Sequence, residues 1–190
     1  MSNKSKEEGS GDSPKPIQKQ KPQNTPKQNQ PMRSPRSDEL IKLQSLTKGE
    51  LCLSAGGKVV VDFEKYGDIK PVLYSELVNV VNQNRTFAEQ GNFYIMDERA
   101  VYHLGLSRYY DNLVSGNFID NIQDYDDDTL RSIVPNLSDV QKYTISRVLS
   151  DAIYHDKRVD HNKIELISKL CGIDIQEQVR QMREIARNMK

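Results

Sequence analysis

The hydrophobic and polar positions of this chain fall into three regimes. In residues 1–38 the only apolar side chains are Met1, Ile17 and Met32. That is too little apolar area to offset the entropy of ordering, so the segment is expected to be a disordered tail. From Glu39 the pattern turns apolar. Leu40, Ile41, Leu43 and Leu46 predict a short amphipathic turn of helix, with Asp38 as its cap. Two strand-like runs follow, Glu50–Ser54 and Lys58–Glu64, joined by Ala55-Gly56-Gly57. Val59, Val61 and Phe63 alternate with Val60 and Asp62 in the second run, and paired glycines between such runs predict a hairpin. Ile69–Tyr74 reads as a third short strand, placed at an edge by Pro71.

From Ser75 the period becomes helical, with Ser75 as the expected N-cap of a helix carrying Leu77, Val80 and Val81. Gly91 breaks it, and Phe93–Met96 predicts a short aromatic strand. Asp97 caps a helix through Val101 and Leu104 that exits at Gly105. Beyond this point the reading is helical. Asp126–Asp128 lead into Leu130, Ile133 and Val134. Ser138 opens a long helix with Val140, Tyr143, Ile145, Val148, Leu149, Ala152 and Ile153. Asp160 caps a helix with Ile164, Ile167, Leu170 and Cys171, ended by Gly172. The last helix starts at Ile173 or Asp174 and places Ile175, Val179, Met182, Ala186 and Met189 at 4-3-4-3 spacing. Such a heptad seam packs on its own domain or on a subunit, and it is too short for an independent coiled coil. The fold class expected is α+β: a small antiparallel hairpin or three-stranded sheet, then a bundle of short helices. Residues 39–190 form a single domain, mixed over 39–106 and helical over 107–190.

Charge sharpens the division. The formal net charge is zero, yet residues 1–38 carry eight basic against four acidic residues, leaving 19 basic and 23 acidic in the body. The tail is thus +4 and the body −4. Six of the eight prolines lie in the tail, and its basic residues include Lys15, Lys19, Lys21, Lys27, Arg33 and Arg36. Such an arm suits a solubilising linker, or a contact with an acidic partner or nucleic acid. No aromatic residue is interleaved with its cations, so it offers no stacking platform. Cys52 and Cys171 sit among apolar neighbours and read as buried, reduced thiols. With a polar start and no apolar run of membrane length, they point to a cytoplasmic, non-membrane protein.

Candidate chemistry is sparse. Ala55-Gly56-Gly57 lacks the Gly-Lys-Ser/Thr that cradles phosphates. Asp124, Asp126 and Asp128 match the first acidic positions of a calcium loop. However, Thr129 replaces the turn glycine and Pro135 the bidentate glutamate. His155, Asp156, Asp160 and His161 share a loop without the spacing of a metal site. His103 lies in an apolar helix. No catalytic, cofactor or metal residue is assigned, and no small-molecule substrate is indicated.

The stretches IKPVLYSELVNVVNQN (69–84), GNFYIMDERAVYHLGL (91–106) and DHNKIELISKLCGIDI (160–175) resemble small proteins of tailed bacteriophages and prophages of Gram-positive bacteria. The resemblance implies a phage-encoded accessory, structural or regulatory protein in the host cytoplasm or virion, and brings no catalytic residues. The function expected is a non-enzymatic protein–protein interaction or assembly module, plausibly homo-oligomeric. The alternative is a nucleic-acid-binding regulator that uses the tail. A third class, an enzyme, would be marked by a deep cleft gathering His103, His155 or His161 with carboxylates.

Overall fold

The computed structural model describes residues 32–189, so Lys15, Lys19, Lys21 and Lys27 lie outside the described residues. In chain order, β1 (Leu40–Ser45), β2 (Leu51–Ala55), β3 (Lys58–Phe63) and β4 (Ile69–Leu73) lead into α1 (Tyr74–Gln83) and α2 (Arg85–Gln90). Then come β5 (Phe93–Ile95), α3 (Glu98–His103), α4 (Ser107–Tyr110), α5 (Gly116–Asp120) and α6 (Asp127–Ile133). The chain closes with α7 (Asp139–Tyr154), α8 (His161–Cys171) and α9 (Ile175–Asn188). The α+β class holds.

Residues 40–45 form a strand and not the expected turn of helix. Ile41, Leu43 and Ser45 are buried in alternation, while Leu40 is 63% exposed. β1 pairs antiparallel with β4 on one side and β5 on the other, so tertiary pairing overrides a short apolar cluster that fits either period. Pro71 sits opposite Lys42 on edge strand β4, where its missing N–H leaves no gap in a ladder. β2 and β3 form a separate two-stranded sheet closed by Gly56 and Gly57, at φ of 60° and 75°. A register shift between Leu53 and Ser54 leaves Val60 as an extra residue. Val59 is therefore turned out to 63% exposure, while Val61 and Phe63 remain buried.

Ser75 does not cap α1. The helix begins directly where β4 ends, and its first N–H groups donate to backbone carbonyls: Tyr74 N to Glu39 O at 2.8 Å, Ser75 N to Ser37 O at 3.1 Å. Elsewhere the expected caps form at Asp97 and Asp160, and Asp126, Ser138 and Asp174, read as lying at helix starts, cap those helices. Cys171 is buried as read, and burial pushes its thiol up to about 11. Cys52 is exposed, because alternation with the buried Leu51 and Leu53 turns it to the solvent face.

Residues 32–38, assigned by composition to the tail, are held by the body. Pro35 is buried, and His103 Nε2 lies 2.7 Å from the Met32 carbonyl oxygen. Arg99 ties the end of this segment by pairing with both Glu39 and Asp97.

The core has two parts. One joins Ile41, Leu43, Phe63, Leu77, Phe93 and Ile95 with their neighbours. The other joins Leu46 to residues between Phe118 and Ile175. α7, whose buried apolar residues belong to the second part, also reaches the neighbouring backbone through polar side chains. Thr144 Oγ1 donates to Leu46 O at 2.9 Å. Gln141 accepts from Val114 N at 3.1 Å and donates to Val114 O at 2.8 Å, completing a backbone-like pair. A Cβ on Gly91, whose φ is 77°, would lie 3.0 Å from the Gln141 amide. The buried face of α7 thus includes Gln141, Thr144, Ser146 and Ser150, and the expected core position Tyr143 is 52% exposed.

Replacing Gln141 with leucine keeps the volume but leaves both Val114 backbone groups unpaired. We expect a loss of about 2–4 kcal/mol, read as a lower urea midpoint at unchanged m. A change below about 0.5 kcal/mol would deny the clamp its role. A second expectation concerns acid. The Arg99 side chain, then the Arg36 N–H, hold the Glu39 carboxyl below its ordinary 4.5. Burial raises Asp97, but Arg99 and the N–H groups of Ala100 and Arg99 outweigh it, leaving Asp97 below 3.8. Both carboxylates bind protons less readily folded than unfolded. Their contribution is therefore complete above those ordinary values and is lost as pH falls through the lowered ones. Urea midpoints between pH 6 and pH 3 should fall less steeply for Arg99→Gln than for the wild type; parallel acid limbs would exclude this.

Candidate interaction site

α9 is amphipathic, yet its apolar stripe is only half used. Ile175 and Val179 are buried, Met182 and Ala186 are half-buried, and Met189 is 82% exposed. Ile185, beside the seam, is 60% exposed. The cause is helix length and direction. α7 and α8 are joined by a short loop, as are α8 and α9, so α9 runs in the sense of α7. Ser150 Oγ lies 3.4 Å from Ile175 O and 2.9 Å from Gln178 Oε1, which sets the start of α9 beside Ser150. α7 ends at Tyr154, one turn later, whereas α9 continues to Asn188. The second half of α9 therefore runs past its support.

Arg180, Arg183 and Arg187 occupy one flank of α9, at three- and four-residue spacing. They border a groove of about 520 Å³ that is also lined by Ile153, Ile164, Val179 and His161. Arg180 pairs with Glu177 at 3.0 Å. Arg183 and Arg187 have no ion pair or hydrogen bond among the described residues. His161 contacts Glu165 at 3.2 Å and Gln176 at 3.2 Å.

The acidic turn before α6 is held by a cap hydrogen bond and an ion pair. Asp126 accepts from Thr129 N at 2.8 Å, and Asp127 pairs with Lys163 at 2.5 Å. Asp124 and Asp128 are exposed and have no side-chain partner among the described residues. No group of three or more His, Cys, Asp or Glu side chains that could hold a metal is present among the described residues. His155, Asp156, Asp160 and His161 do not converge: Asp160 caps α8, Asp156 takes a left-handed φ of 55°, and His161 turns to Glu165. Of the tail cations, Arg33 and Arg36 are described and exposed, and Arg36 lies 3.5 Å from Asp38.

A second cleft, of about 510 Å³, gathers Lys48, Tyr66, Asp120, Asp151, His155 and Lys157 over an apolar wall that includes Ile119 and Leu149. Its carboxylates are already engaged. Tyr66 donates to Asp120 at 3.0 Å, and Lys48 pairs with Asp151. Burial and the Asp120 charge push the Tyr66 phenol up, so it stays protonated and donates. Burial, with Arg147, pulls the Lys48 ammonium down, and the Asp151 carboxylate opposes that by favouring its charged form. The arrangement latches the loops after β1 and β3 to α5 and α7. His103 and His161 lie outside this cleft. Sequence reading missed the cluster because its members come from separate segments with no common spacing. The arginine row, by contrast, carried a helical signal.

No protein-family model, curated protein or solved structure matches this chain. No helix of the described residues is long and apolar enough to cross a membrane.

Proposed function

We propose that this protein is a non-enzymatic assembly module that docks a protein partner, or itself, through the second half of α9. One observation carries the reading: Met182, Ile185, Ala186 and Met189 continue the stripe that builds the core, yet lie beyond the helix that covers its first half. An apolar stripe at that spacing is what a partner surface covers. The engaged carboxylates of the second cleft favour a latch over a catalytic centre. The phage setting, in a particle or its assembly, rests on the resemblance of segments 69–84, 91–106 and 160–175 alone.

Size-exclusion chromatography with light scattering tests self-assembly. The wild type should form oligomers as concentration rises. The double change Ile185→Glu/Met189→Glu should weaken association at least tenfold, about 1.4 kcal/mol, without lowering the melting temperature, because both side chains are exposed. A wild type that stays monomeric at high concentration would exclude self-assembly through α9.

A second reading, a nucleic-acid-binding regulator, is favoured by the row Arg180, Arg183 and Arg187, which adds cations to those of the tail. It requires affinity for double-stranded DNA that falls steeply with salt and drops on deleting residues 1–31. DNA titrations at two or more salt concentrations decide it, and absence of binding at low salt rejects it.

A further inference from the structure

We infer that the groove wall formed by Arg183 and Arg187 docks the acidic turn Asp124–Asp128 of a second copy of this chain, head to tail. The inference rests on the assembly reading and names its partner.

Two charges of each sign remain unpaired on these surfaces among the described residues. On the α9 flank Arg180 is paired with Glu177, while Arg183 and Arg187 pair with nothing among the described residues. On the turn Asp126 is spent as a helix cap and Asp127 on Lys163, while Asp124 and Asp128 remain exposed and unpaired there. One body thus carries two unmatched cations and two unmatched anions. No ion pair joins the turn to α9 within the described chain. Opposed patches of this kind steer association and fix its register.

The groove lining is partly apolar. Ile153, Ile164 and Val179 give the groove an apolar part, which a phosphate backbone leaves uncovered. The acidic turn brings Tyr125, half-buried and tilted by 31° against Phe118 at a centroid distance of 4.5 Å, between its aspartates. An aromatic body with flanking carboxylates matches an apolar groove with flanking guanidiniums. Groove and turn are different surfaces. In the head-to-tail arrangement each copy gives its turn to one neighbour and its groove to another, a heterologous contact whose repetition builds a ring or an open filament.

Charge exchange tests this on the full-length protein. Arg183→Glu/Arg187→Glu and Asp124→Lys/Asp128→Lys change only exposed side chains, and thermal melts verify that both fold. By sedimentation at low salt the wild type should form assemblies beyond the dimer, weakened by added salt. Each variant alone should be monomeric. An equimolar mixture pairs the intact turn of one variant with the intact groove of the other, and the reversed groove with the reversed turn, so it should associate at least tenfold more tightly than either variant alone. A mixture that stays monomeric, or a variant that assembles like the wild type, overturns the inference. If both charge variants assemble while Ile185→Glu/Met189→Glu does not, the charged contact is rejected and the assembly reading stands. A monomeric wild type rejects both. Loss of double-stranded DNA binding in the arginine variant, without any self-association, would reassign the wall to phosphate.

Discussion

The position of α7 is the constraint on which the rest of this structure depends. Its buried face is not a plain apolar stripe. Gln141 clamps the Val114 peptide, Thr144 reaches the end of β1, and Ser150 meets the start of α9. Buried polar groups are costly when unpaired and specific when paired. Each of these side chains therefore has one arrangement of the neighbouring backbone that satisfies it. Apolar contacts alone would let α7 rotate or slide against the cluster it packs in; the hydrogen bonds oppose that freedom.

The exposed surface follows from that placement. Because Ser150 receives the beginning of α9, and α7 stops one turn later, the last turns of α9 run past the end of α7. Ile175 and Val179 are core, and Ile185 and Met189 are surface, although all lie on or beside one apolar stripe. The row Arg183 and Arg187 is left against a groove with an apolar lining. A difference in helix length leaves one half of a single seam buried and the other half exposed.

The same logic applies to the entry of the chain. Residues 32–39 are fastened by Arg99 to Glu39 and Asp97, by His103 to Met32, and by backbone bonds to the first turn of α1. On another face, Lys48 with Asp151 and Tyr66 with Asp120 hold loops of the sheet region to α7 and α5. These partly exposed polar contacts each add little stability in water. Their effect is to position loops.

Local chemistry made much of the fold readable. A carboxylate or hydroxyl before an apolar period can satisfy the first helix N–H groups locally, so Asp97 and Asp160 were legible as caps, and Asp126, Ser138 and Asp174 as lying at helix starts. Gly56-Gly57 was legible as a hairpin, since paired residues at positive φ favour glycine. Where two periods fit a short run, as at Leu40–Leu46, the partner strands decided, and they lie some thirty and fifty residues away. Ser75 lost its capping role because carbonyls of residues 37 and 39 arrived first. Nor did the alternation of valines in β3 anticipate the bulge that exposes Val59. The candidate site divides in the same way. The sequence by itself determined that α9 has an apolar stripe and an arginine flank, because helical period is a local property. Which half of that stripe is buried was decided only by the tertiary structure, because burial depends on where another helix ends.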